Sequence, residues 1–206
     1  MRKALPILLL AALCAAPAAA APPSLTLKAA PTVVTYGGTS TLSGVLSTQK
    51  SGESVDIQAQ ECGQNAFKKL ASATTTTGGA FSYAAKPTNN TSYQAKLKGA
   101  TSPAVAVKVA PLLTLKKLSR GKFSVSVTAA QSFAGKYVVF QRLRRTKWVT
   151  LKKVTLATAR TTTAPTQVTS ATFRIKLAAR LRVRSILPAA QAATCYLGAK
   201  SKVIRS

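Results

Sequence analysis

Apolar and polar residues alternate along most of this chain in runs of strand length. Phe123-Ser124-Val125-Ser126-Val127-Thr128 shows the pattern well, with one set of side chains suited to a core and the other to water. Tyr93-Gln94-Ala95-Lys96-Leu97 and Leu181-Arg182-Val183-Arg184-Ser185-Ile186 repeat it. Turn chemistry separates the runs, at Tyr36-Gly37-Gly38, Lys50-Ser51-Gly52, Thr77-Gly78-Gly79, Lys98-Gly99 and Arg120-Gly121. Helical periodicity is nearly absent, and Val and Thr are abundant, so the pattern predicts an all-β protein.

The two halves of the chain read as degenerate copies. Leu25-Thr26-Leu27-Lys28 recurs as Leu113-Thr114-Leu115-Lys116. Gly52-Glu53-Ser54-Val55-Asp56-Ile57-Gln58 matches Gly135-Lys136-Tyr137-Val138-Val139-Phe140-Gln141, Phe67 matches Trp148, and Phe81 is set against Phe173. Closing strands are expected at Ala104 to Val109 and at Lys200 to Arg205. The expected organisation is a signal peptide over 1–20, one domain over 21–110 and a second over 111–206, with almost no linker at Val109-Ala110-Pro111. Roughly seven strands per repeat is the count of an immunoglobulin-like β-sandwich, so two tandem sandwiches are predicted, with a barrel as the alternative architecture.

Tyr36-Gly37-Gly38-Thr39-Ser40-Thr41-Leu42-Ser43-Gly44, Gly52-Glu53-Ser54-Val55, Thr77-Gly78-Gly79-Ala80-Phe81 and Thr91-Ser92-Tyr93-Gln94-Ala95 together resemble the tandem immunoglobulin-like domains of secreted and surface proteins of bacteria, actinobacteria in particular. The second copy lacks the Gly-Gly-Ala-Phe element and has Thr161-Thr162-Thr163-Ala164-Pro165 instead. These are turn and core signatures. The resemblance implies a fold and an extracellular setting and supplies no catalytic residues.

Residues 1–20 break the alternation. Arg2 and Lys3 precede the apolar run Ala4 to Leu13, and small residues follow, which is an export signal with cleavage expected after Ala20. Lipidation at Cys14 is disfavoured by the bulky Leu13 before it. No other stretch is apolar for long enough to span a bilayer, so the expected location is secreted or extracellular, associated with the cell envelope.

Charge then changes the picture. The chain carries 30 Lys and Arg against 3 Asp and Glu. Residues 111–206 hold twenty of the cations and no acid, whereas residues 21–110 hold eight and three. Alternation sets Arg142 with Arg144, and Arg180 with Arg182 and Arg184, on what would be the neighbouring C and F strands of the second sandwich, and Lys200 and Lys202 would extend the face onto the G strand. These seven are the candidate polyanion-binding residues, because rigidly held guanidinium forks match phosphate and carboxylate geometry. The leading expectation is a non-enzymatic exported protein that adheres or scaffolds by electrostatic capture of an anionic cell-wall polymer or polysaccharide. The alternative is a specific protein-binding module whose charge serves solubility. No motif of sequence-specific DNA readers is present, and non-specific nucleic acid binding is expected only in vitro.

Catalysis finds little material. Histidine is absent, the three carboxylates are Glu53, Asp56 and Glu61, and no Gly-x-Ser-x-Gly elbow occurs. No enzyme, metal site or cofactor is expected. Trp148 and the tyrosines are read as core residues, with an exposed indole beside Arg144-Arg145-Thr146-Lys147 as the other reading of Trp148. Asn89 and Asn90 form sequons but are explained by a turn. Once Cys14 leaves with the signal, Cys62 and Cys195 remain, one per predicted domain. In an immunoglobulin-like topology both fall at the poles that face each other, which predicts an interdomain disulfide; two free thiols or intermolecular pairing are the other outcomes.

Overall fold

The computed structural model describes residues 22–192 and 194–206; the expected export signal lies outside them. Strands form where the alternation predicts them. The first half contains β1 (Lys28–Ala30), β2 (Val33–Thr35), β3 (Ser40–Val45), β4 (Ser54–Glu61), β5 (Lys68–Thr74), β6 (Ala80–Ala85), β7 (Thr91–Leu97), β8 (Ala100–Thr101) and β9 (Val105–Ala110). One of its sheets has the order β1-β3-β6, and the other β2-β9-β7-β4-β5, with β8 also on β7. The second half contains β10 (Leu112–Ser119), β11 (Lys122–Ala129), β12 (Tyr137–Arg144), β13 (Lys147–Thr155), β14 (Thr158–Thr161), β15 (Gln167–Arg174), β16 (Arg182–Leu187), β17 (Ala199–Lys200) and β18 (Ile204–Arg205). Its sheets run β10-β11-β15-β14 and β13-β12-β16, with β17 and β18 both along the far edge of β16.

These are immunoglobulin-like orders, A-B-E(-D) against C′-C-F-G, realised twice in tandem. In the first half a parallel pairing of Val33 with Lys108 adds an edge strand beside β9. The sheets are open and stacked rather than closed into a barrel.

The repeated sequence elements occupy repeated places. Leu25, Leu27, Leu113 and Leu115 are all buried, and Val55, Ile57, Val138 and Phe140 are fully so. Even the irregularity recurs: the ladder slips between Ile57 and Gln58 in one half and between Phe140 and Gln141 in the other. In the second half Phe123, Phe140 and Phe173 join the two sheets, with ring centroids 5.2 Å apart for Phe123–Phe140 and 5.0 Å for Phe140–Phe173. Each such buried ring contributes about 2–3 kcal/mol by area.

Two alignments need correction. Starting from Leu25 opposite Leu46 and Leu113 opposite Val127, the ladders set Phe81 level with Ala171 and Tyr83 level with Phe173, two residues from the sequence alignment. The closing strands are fixed by a serine. Ser102 donates its N–H to Ala95 O while its Oγ accepts from Ala95 N, both at 2.9 Å, and Ser201 does the same with Ser185 at the same distances. Ser201 therefore matches Ser102, and Ile204 matches Val105, a shift of three from the expected register.

The same comparison locates the main difference between the halves. Two residues join β7 to β8, but residues 188–198 join β16 to β17, nine more. The longer loop reaches the first half. Cys195 in it forms a disulfide with Cys62, with Cα atoms 5.4 Å apart across 133 residues of sequence, as the interdomain reading expected. Around the bridge, Asn90 N donates to Cys195 O at 2.9 Å and Leu197 N to Val109 O at 2.8 Å. Tyr196 Oη donates to Thr88 O at 2.8 Å and accepts from Ala130 N at 3.1 Å. The two sequon asparagines are structural here, as Asn89 Oδ1 accepts from Cys62 N and Asn90 Oδ1 from Val109 N.

Candidate functional site

The β12–β16 pairing decides which way the candidate cations face. Arg142 is opposite Val183, and Gln141 is opposite Arg184. Val183 and Ser185 are buried and look into the sandwich, so Arg182 and Arg184 look out and Arg142 looks in. The expectation that Arg142 and Arg144 share one outward face with Arg182 and Arg184 is therefore wrong by one strand position. The outward residues of β12 are Tyr137, Val139, Gln141 and Leu143. Arg142 is half-buried, and its Nε has no hydrogen-bond partner among the described residues. Arg144, at the strand end, is exposed.

The remaining five divide as well. Arg182 lies opposite Arg205 on the outward face, and Lys200 is exposed opposite Ile186. Arg180 is not on the strand: it sits in the preceding turn at φ 63, a left-handed conformation uncommon for a side chain of this size. Lys202 lies exposed between β17 and β18. Arg184 is the best-held member of the set. Its Nε donates to Gln141 Oε1 at 3.0 Å, and its Cζ stands 4.0 Å from the centroid of the Trp148 ring. Partial burial lowers its pKa, yet an arginine keeps its charge near neutrality.

Trp148 is thus not a core residue. It lies opposite Leu143 on the outward face, half-buried under Arg184. Tyr137 is also on this face, with Lys153 Nζ 5.1 Å above its ring. Tyr93 and Tyr196 are core residues, as expected, and burial raises the pKa of both, to about 12 for Tyr93. The outer face of the β13-β12-β16 sheet is consequently a row of apolar and aromatic groups, Val139, Leu143, Trp148 and Ile186, crossed by cations.

A second concentration of cations was not read from the sequence. The strand ladders fix which connections share a pole, and the 156–157 link crosses between the sheets without reversing direction. The connections 130–136, 162–166 and 188–198 face the first half and carry one cation, Lys136. The connections 120–121, 145–146 and 175–181 close at the far pole and hold Arg120, Arg145, Lys176 and Arg180. Strand ends add Lys122, Arg144, Lys147, Arg174 and Arg182. The residue type matters too. Residues 22–110 contain eight lysines and no arginine, while residues 111–206 contain ten of each. All of those arginines except Arg160 are in the far-pole turns, within three residues of one, or, for Arg205, opposite Arg182. Two unit charges about 8 Å apart repel by about 0.5 kcal/mol in water, so such crowding of like charges costs energy.

All three carboxylates lie in the first half, and two of them are paired. Asp56 faces outward, pairs with Lys69 at 2.7 Å and accepts from Ser72 at 3.0 Å; the Lys69 contact, then the Ser72 hydroxyl, hold its pKa below the usual value. Glu53 pairs with Lys98 at 3.3 Å. Among the described residues no group of three or more acidic, His or Cys side chains gathers as for a metal ion, and no helix is long and apolar enough to cross a membrane.

No family model and no curated protein matches the sequence. Among solved structures, bovine butyrophilin is similar over 87% of this chain and 98% of its own, at 12% identity and a TM-score of 0.33. The strand orders themselves define the class, a tandem immunoglobulin-like β-sandwich protein.

Proposed function

We propose that this chain is an exported, non-enzymatic, two-module protein that adheres or scaffolds at the cell envelope by electrostatic capture of polyanions. The modules divide at residues 110 and 111 behind a leader over 1–20, and the second module is the one that binds. One observation carries the reading: ten arginines and no acid occur in residues 111–206, and no arginine occurs in residues 22–110. Solubility alone is served by lysine, as the first half illustrates, whereas arginine forks favour bidentate contact with oxyanions. The partner class is an anionic cell-wall polymer or polysaccharide.

A second reading is favoured by the outer face of β13-β12-β16, where Val139, Leu143, Ile186 and Trp148 form an apolar row suited to a protein partner. Ionic strength separates the two, because charge capture weakens steeply with salt and an apolar interface does not. The test is retention of the mature protein on isolated cell walls, with and without their anionic polymers, across a salt series. Retention lost on stripping the polymers or adding salt supports capture. Salt-resistant retention supports the protein-binding reading.

A further inference from the structure

At the far pole the turn between β10 and β11 and the start of the β15–β16 connection lie side by side and leave a groove of about 560 Å³. Its lining is Arg120, Gly121, Arg174, Ile175, Lys176 and Leu177. Two features make it a seat rather than a loose surface. Ile175 N donates to Gly121 O at 2.9 Å, which ties the two segments together. Gly121 has φ +69, and a Cβ there would lie 2.9 Å from Ile175 O, so only glycine lets the backbones approach this closely. The three cations are exposed around a backbone floor that is held from both sides. Lys152 Nζ, reaching across from the other sheet, donates to Arg174 O at 3.3 Å and adds a fourth positive charge beside it.

The lining alternates charge with aliphatic carbon, Arg174, Ile175, Lys176, Leu177 in order. It contains no aromatic ring, although a site for single-stranded nucleic acid relies on rings for base stacking. Trp148, the ring nearest in kind, is on the outer sheet face beneath Arg184.

We infer that this groove is a binding seat for a phosphodiester chain with short aliphatic, polyol-type linkers, whose phosphates meet Arg120, Arg174 and Lys176 while the linkers lie along Ile175 and Leu177. The inference rests on the capture reading above and narrows it, from the charged surface of the second half to one groove and from polyanions to phosphodiesters. Capture then depends on position as well as net charge.

The test uses the mature disulfide-bonded protein and a synthetic oligo(glycerol phosphate), with calorimetric titration at fixed salt. Two variants each lose three exposed cations: Arg120→Gln/Arg174→Gln/Lys176→Gln in the groove, and Lys136→Gln/Lys200→Gln/Lys202→Gln away from it. Circular dichroism confirms the fold of both. The expected result is a loss of at least about tenfold in affinity for the groove variant and under about threefold for the other. Equal losses overturn the seat while leaving capture standing, and absence of any binding by the parent protein to this probe or to a sulfated polysaccharide removes the underlying reading. An oligo(dT) or a sulfated polysaccharide bound as tightly and with the same dependence on the groove residues overturns the phosphodiester-polyol assignment.

Discussion

Replacing both bridging residues, as Cys62→Ala/Cys195→Ala, removes a cross-link whose effect can be worked out in advance. Closing a loop across 133 residues stabilises by about 5 kcal/mol in the chain-entropy model. The bridge joins different halves, so the value depends on what unfolds. If only the second half melts, the slack chain runs from its start near residue 111 to Cys195, roughly 85 residues, and the figure is about 4.6 kcal/mol. If only the first half melts, the slack from Cys62 to the start of β10 is roughly 50 residues, and the figure is about 4 kcal/mol. The three cases differ little because the dependence on length is logarithmic. With a guanidinium m-value of about 5 kcal/mol/M for a chain of this size, the midpoint falls by about 0.8–1 M. The assay is guanidinium unfolding of the parent and the variant, with a thiol titration of the native parent that returns no free thiol. A difference below about 1 kcal/mol, or one thiol per molecule reacting in the native parent, refutes the reasoning.

Three further outcomes follow from the packing and the titrating groups. Trp148 is the sole tryptophan, so Arg184→Ala should change its fluorescence emission directly and cost about 0.5–1 kcal/mol of stability; an unchanged spectrum removes the stacked pair. Phe140→Ala empties the place between Phe123 and Phe173 and should cost about 3–5 kcal/mol in equilibrium unfolding, and a cost near 1 kcal/mol would mean the ring cluster is not a common core. Tyr93 has its folded pKa raised to about 12 from 10.0, so its contribution is fully present below pH 10 and is lost as pH rises toward 12; Tyr93→Phe should flatten that part of the alkaline unfolding profile, and an unchanged profile counts against it.

The fold was legible because its determinants are local and repeated. Strand alternation, the glycine turns and the paired Leu-x-Leu elements all survive in the sequence, and even the bridge could be placed once the topology was assumed. What failed was register. Arg142 and Arg182 look alike in sequence, each an arginine in an alternating run, and only the pairing of Gln141 with Arg184 shows that one looks in and the other out. Trp148 was misread for a related reason, since its bulk suggests a core while a facing guanidinium provides the burial. The alignment of the closing strands slipped because nine inserted residues stand between β16 and β17, an offset that composition does not reveal. The far-pole cations did leave a signal: Arg120, Arg145 and Arg180 fall in connections that share a pole, once the 156–157 link, which crosses between the sheets without reversing direction, is set aside.

The junction between the halves is held by two covalent routes, the main chain at Pro111 and the Cys62–Cys195 bridge. A body fastened to another at two points keeps one free rotation, about the line through both, and here the Tyr36–Thr166, Tyr196–Thr88 and Leu197–Val109 hydrogen bonds oppose it. Tension on an anchored second half would then reach the first half through parallel linkages, so neither alone carries the load. Pulled from its far end, the molecule should behave as a stiff strut rather than as two beads on a thread, and reduction of the bridge should convert one into the other.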